Sequence, residues 1–109
     1  MLKKTILIAL LFFSLFKLIA QDNSKPEQVI RGKVVDKQSQ TPLPGANIIL
    51  LESDPPLGTS TNSAGDFRLE DVPVGRQGIA VSFIGYHNKV IQNLIVNSAH
   101  ETVLFIELE

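Results

Sequence analysis

Thr41-Pro42-Leu43-Pro44-Gly45-Ala46-Asn47-Ile48 decides how this chain can fold. Two prolines two residues apart fix their own φ, and their rings push Thr41 and Leu43 toward extended backbone. Gly45 supplies the freedom to turn out of the stiff segment. Helix is excluded here. From Ala46 the chain becomes apolar and β-branched, so the segment sets the start and register of a strand carrying Ala46, Ile48 and Leu50 and ending near Leu51. Because Ile48, Ile49, Leu50 and Leu51 are all apolar, that strand is expected to be central in its sheet or covered on both faces.

Upstream, Ile30, Gly32 and Val34 alternate with Arg31, Lys33 and Val35, the pattern of a first strand over Ile30 to Asp36, and Lys37 to Gln40 is a polar turn. Downstream, Ser53 to Gly58 holds Asp54-Pro55-Pro56 and reads as a loop. A short strand is expected near Thr59 to Thr61. The tight turn Asn62-Ser63-Ala64-Gly65, with Gly65 at positive φ, leads into Asp66 to Glu70, where Phe67 and Leu69 point inward, and the two strands read as a hairpin. Asp66 is expected to support that turn. Val72-Pro73-Val74-Gly75 ends the strand. Gly78 to Phe83 follows, with Ile79, Val81 and Phe83 on one face, until Gly85 breaks the run. Lys89 to Ile95 forms a further strand, Asn97 to His100 a turn, and Thr102 to Leu108 the last strand, with Leu104, Ile106 and Leu108 alternating against Val103, Phe105 and Glu107. The turn spacing of about 8 to 12 residues defines an all-β sandwich of about seven strands.

Residues 1–20 stand apart. Lys3 and Lys4 form a positive start, Thr5 to Phe16 an apolar run, and Ala20 a small residue at a cleavage position, the order of an export signal. Lys17 interrupts the run before it reaches the roughly 20 residues that a membrane span needs. No cysteine follows it, so a lipoprotein anchor is not expected. Residues 21–28 are polar, contain Pro26 and read as a flexible leader, and residues 29–109 make the domain. The whole chain carries ten basic and eleven acidic residues, and loss of Lys3, Lys4 and Lys17 with the signal leaves seven against eleven. Such a mildly acidic domain lacks the electrostatic footprint of a nucleic-acid binder. With no cysteine, a domain of this size holds together on its core alone.

Four pieces in order, Ile30-Arg31-Gly32-Lys33-Val34-Val35-Asp36, Pro42-Leu43-Pro44-Gly45-Ala46-Asn47-Ile48, Gly65-Asp66-Phe67 and Ser82-Phe83-Ile84-Gly85-Tyr86, resemble the carboxypeptidase regulatory-like domain, a transthyretin-like β-sandwich. The chain looks most like the version found after the signal peptide in TonB-dependent outer-membrane receptors of Gram-negative bacteria. There a plug and a barrel follow; here the given sequence stops at Glu109, so the transporter function is not expected to carry over. The resemblance implies an exported, non-catalytic module of the periplasm, outer membrane or cell surface. It would contact an envelope protein through a sheet edge or loops.

The side-chain inventory agrees with that expectation. His87 and His100 are the only histidines, and a zinc site would have to recruit carboxylates such as Asp66 or Glu101 without any ligand spacing to support it. Asp54, Asp66, Glu70 and Asp71 lack the alternating acidic loop of a calcium site. No Gly-x-Ser-x-Gly occurs. A purine-pathway hydrolase shares the transthyretin-like fold, but it depends on several histidines with an arginine. Arg31, Arg68 and Arg76 are present here, the histidines are too few, and the tail from Phe105 to Glu109 reads as strand. No catalytic, cofactor or metal residue is therefore assigned. Two functions are weighed: an interaction module, and a small glycan- or peptide-binding protein using the Ser53 to Gly58 loop with an aromatic platform of Phe83, Ile84 and Tyr86.

Overall fold

The computed structural model describes residues 25–109; the export signal and most of the leader lie outside the described residues. Seven strands follow one another: β1 (Glu27–Asp36), β2 (Asn47–Leu50), β3 (Gly58–Ser60), β4 (Asp66–Pro73), β5 (Gly75–Ser82), β6 (Lys89–Val96) and β7 (Thr102–Leu108). They form two sheets, one in the order β4-β1-β7 and the other β3-β2-β5-β6. The class read from the sequence is therefore correct: an all-β sandwich with no helix among the described residues.

Alternation decides which side chains meet between the sheets. Ile30 and Val34 from β1, Ile48 and Leu50 from β2, Phe67, Leu69 and Val72 from β4, Ile79 and Val81 from β5, Val96 from β6, and Ile106 and Leu108 from β7 form one buried cluster. β2 is interior to its sheet, as its apolar run implied, but only one face is covered: Ile49 points out and is half exposed.

The proline segment does more than start β2. β4 pairs with β1 only up to Lys33–Asp66. Beyond that point Val35 bridges Pro42, the Leu43 N–H donates to the Val34 carbonyl at 3.0 Å, and the Asp36 N–H donates to the Thr41 carbonyl at 2.9 Å. Thr41 to Leu43 thus take over as the edge partner of β1 where β4 leaves off. Thr61, buried and polar, fastens the segment from the other sheet: its hydroxyl donates to the Leu43 carbonyl at 2.5 Å and accepts from the Ala46 N–H at 2.8 Å. Both buried backbone groups are satisfied by one side chain.

Three expectations need correction. β3 and β4 do not form a hairpin: β3 pairs with β2 and β4 with β1, so the Asn62–Gly65 turn carries the chain from one sheet to the other. The turn itself is present, with the Gly65 N–H on the Asn62 carbonyl at 2.9 Å and Gly65 at φ 78°. The side chain supporting it is that of Asn62, whose Oδ1 accepts from the Ala64 and Asp66 N–H groups, both at 3.0 Å; the Asp66 carboxylate faces Lys33 instead. Finally, Glu27 and Gln28 belong to β1, opposite Pro73 and Val72. Backbone pairing, continued by the Val74 N–H on the Pro26 carbonyl, holds them where side-chain alternation gives no signal.

Candidate functional site

Four strands lie at sheet edges, and three of them are blunted. β3 is three residues long. β4 carries a bulge in which Glu70 and Asp71 oppose Val29 alone, with Asp71 at φ 60°. β6 carries another, Gln92 and Asn93 against Gly78, with Asn93 also at φ 60°. Bulges twist an edge and interrupt its row of hydrogen-bonding groups, which keeps other strands from adding to it.

β7 is different. It runs parallel to β1 through seven consecutive pairs, Ile30–Thr102 to Asp36–Leu108, without a register shift. In a parallel ladder alternate residues direct both backbone groups to the same neighbour. The Leu108 carbonyl accepts from the Lys37 N–H beyond the end of β1, so the even-numbered residues of β7 face β1. The odd-numbered ones, Val103, Phe105 and Glu107, face outward. Lys89 Nζ caps the Glu107 carbonyl at 3.3 Å, which leaves Val103 and Phe105 uncapped among the described residues. Their side chains are also open, at 58% and 60% exposure, on the outer face of the sheet. On the inner face Leu104 of β7 and Ile91 and Leu94 of β6 are only partly buried, so this flank of the sandwich is incompletely closed.

Beside Val103 and Phe105 lies a shallow cleft of about 590 Å³ between charged rows. Arg31 stands directly opposite Arg68, a repulsive cross-strand pair. Glu101, at the start of β7, resolves it: one carboxylate oxygen takes Arg31 Nε at 2.6 Å and the other Arg68 Nη2 at 3.2 Å, while Glu70 takes Arg68 Nε at 3.0 Å. The Arg31 hydrogen bond above all, with the charge of Arg68, holds the Glu101 carboxyl below the usual carboxylate range. Glu70 and Glu101 in turn raise Arg68 further. These arginines are committed to carboxylates within the domain.

The aromatic platform is not formed. Phe83 and Tyr86 pack edge to face at 5.6 Å against the core, and Ile84 alone projects into solvent, at 95% exposure. The Tyr86 hydroxyl donates to Asp36 Oδ2 at 2.7 Å, tying the loop after β5 to the end of β1. The Ser39 N–H first, and Tyr86 next, hold the Asp36 carboxyl below its usual range, and Asp36 raises the phenol above its own. The Ser53 to Gly58 loop lies elsewhere. β2 and β5 are antiparallel with Asn47 opposite Ser82 and Leu50 opposite Ile79, so that loop and Tyr86 sit at opposite ends of the ladder and cannot line one pocket.

Neither histidine joins a cluster. His87 is exposed in the loop before β6, its backbone N–H on the Glu109 carbonyl, and His100 is exposed in the turn before β7. Among the described residues no three His, Cys, Asp or Glu side chains converge as metal ligands. Asp54 and Arg76 are exposed, away from the Arg31–Glu101–Arg68 network.

Two facing sheets around one apolar core, with one strand edge left open, define an all-β sandwich. The chain belongs to the carboxypeptidase regulatory-like domain family, whose sequence model matches residues 30–109. Curated proteins give no match. Similar solved structures include a C-terminal interface mutant of a type II cohesin–X-dockerin complex from Acetivibrio cellulolyticus, at 19% identity and a TM-score of 0.61. An N-terminal interface mutant of such a complex from the same organism gives 19% identity and a TM-score of 0.58. In both, the match covers 72% of this chain and 52% of the other, so this chain spans about half the length of those chains. At that identity the likeness concerns the fold.

Proposed function

We propose that this protein is an exported, non-catalytic contact module of a Gram-negative cell envelope, acting in the periplasm or at the outer membrane or cell surface. The ordered charged, apolar and small residues of positions 1–20 support export. Family membership supports an accessory rather than a chemical role. Among the described residues no helix is long and apolar enough to cross a membrane. The observation that carries the reading is the contrast among edges: β3, β4 and β6 are blunted, whereas β7 keeps a regular ladder, unspent backbone groups and exposed apolar side chains.

Function is argued from the site, and the site is a strand edge. Strand addition takes affinity from main-chain hydrogen bonds and selectivity from alternate side chains. Pull-down from an envelope extract, followed by mass spectrometry, tests this. Recovery of one defined envelope protein, lost when a surface edge or loop is altered while the thermal melt is unchanged, is the expected result. Stoichiometric zinc or calcium in the purified protein, removed by substitution of His87 or Asp66, overturns the reading.

A further inference from the structure

We infer that the open edge of β7 pairs with β7 of a second copy of this chain, antiparallel and about a two-fold axis, joining two three-stranded sheets into one of six. The inference rests on the reading of the domain as a contact module and names the occupant of its edge.

Self-complementarity singles out that occupant. Lys89 takes the Glu107 carbonyl, so two outward-facing residues, Val103 and Phe105, retain free donors and acceptors. An antiparallel strand pairs in registers that set outward residue against outward residue. With Val103 opposite Phe105 of the second copy, and Phe105 opposite its Val103, each pair exchanges two hydrogen bonds, which uses the four donors and four acceptors of these residues. Only the carbonyl of Glu107 is capped, and its N–H falls opposite Glu101 of the second copy. The same register gathers two valines and two phenylalanines, now more than half exposed, into one apolar cluster on the outer face. It also places the partly buried Leu104 against its own symmetry mate on the inner face.

The neighbouring registers are worse. Phe105 against Phe105 puts Val103 opposite Glu107, whose carbonyl is already taken, and Glu101 opposite Glu109. Val103 against Val103 puts Phe105 opposite Glu101, whose carboxylate is committed to Arg31 and Arg68. Like charges directly opposed weaken a cross-strand pair. The favoured register also sets Glu107 opposite Glu101 of the second copy, but the Glu101 charge is balanced there by Arg31 and Arg68, and this register uses every free donor and acceptor of Val103 and Phe105. The small contact points to a weak dimer, to be sought at protein concentrations up to about 1 mM, where an association of only about 4 kcal/mol is already populated.

The absence of cysteine makes the register directly readable. In the inferred pairing Leu104 faces Leu104 as a non-hydrogen-bonded pair with Cα atoms about 4.5 Å apart, within the range that a disulfide spans. Oxidation of Leu104→Cys should therefore give covalent dimer as the main product, with Val103→Cys and Phe105→Cys giving little. Sedimentation equilibrium should show a concentration-dependent dimer of the unmodified protein. Phe105→Lys and Val103→Pro should each abolish it, the proline because it removes an outward N–H without touching the ladder to β1. Unchanged circular dichroism and melts establish that both variants fold.

A protein monomeric to about 1 mM overturns the inference, given the affinity expected of a contact this small. So does a dimer that survives both variants, or one cross-linked best through another position. Failure here is separable from failure of the contact reading: a monomer that still captures an envelope protein, and loses it on Phe105→Lys, gives the β7 edge to that protein's strand. A dimer with no envelope partner removes the accessory role and leaves the self-pairing.

Discussion

The two flanks of the sandwich are built differently. On the β4–β3 flank the chain itself crosses between sheets: the Asn62–Gly65 turn, the proline segment and the two hydrogen bonds of Thr61 close the core. On the β7–β6 flank Val96, Ile106 and Leu108 reach the core, but Leu104, Ile91 and Leu94 are only partly buried, and β7 is tied into its sheet by β1 alone. A closed flank carries stability, and an open one is free to carry contacts. Substitutions should therefore separate the two properties.

The largest effect is expected in the shared core. Phe67→Ala removes a buried ring from β4 and should cost about 3–5 kcal/mol in a denaturant melt, a large part of what so small a domain has. A cost under about 1 kcal/mol would mean that the ring is not enclosed. Next comes Gly32, the residue that sets how closely β7 approaches β1. A Cβ there would stand 2.0 Å from the Leu104 carbonyl oxygen, a backbone atom that cannot swing away. Gly32→Ala should cost about 3 kcal/mol and weaken protection of β7 first, as amide exchange would show. On the closed flank, Thr61→Val keeps the shape but orphans the Ala46 N–H and the Leu43 carbonyl. It should cost about 1–3 kcal/mol, with the loss of protection confined to Leu43–Ala46 and the turn.

Acid gives a smaller, directional effect. Asp36 and Glu101 both have carboxyls held below their usual range in the folded state. Their contribution is complete above the ordinary carboxylate pKa and is lost as pH falls below that range through the folded values. Tyr86→Phe should flatten the Asp36 part of that acid slope, since the hydroxyl is one of the groups that holds Asp36 down. An unchanged slope would show that the Ser39 and Gln38 N–H groups hold Asp36 down without it. The smallest effect is predicted for Phe105→Lys on the open flank, which should leave stability within about 0.5 kcal/mol.

The same contrast explains what could be read from the sequence. Strand positions were legible because alternation and turn residues are local: Phe67, Leu69, Ile79, Val81, Ile106 and Leu108 all face the core as their spacing requires. Sheet membership was not. The Asn62–Gly65 turn looks the same whether it joins two paired strands or passes between sheets, because the difference lies in the partners β2 and β1, remote in sequence. Thr61 carried no signal either; a threonine at a strand end is ordinary until its hydroxyl meets Leu43 and Ala46. The candidate edge was half legible. Exposed Val103 and Phe105 follow from the alternation of β7, whereas the bulges at Asp71 and Asn93 that blunt two other edges depend on register between strands. The aromatic platform failed for a related reason: Tyr86 is held by Asp36, fifty residues earlier.

Amide hydrogen exchange along β7 tests most directly whether its edge is open. In dilute protein the N–H groups of Val103 and Phe105 should exchange fast while those of Leu104, Ile106 and Leu108, bonded to β1, are protected. Raising the concentration should protect Val103 and Phe105 as well. Protection of both at high dilution, or the opposite alternation along the strand, would contradict this account, because the edge would then be covered or the register of β7 on β1 would differ by one residue.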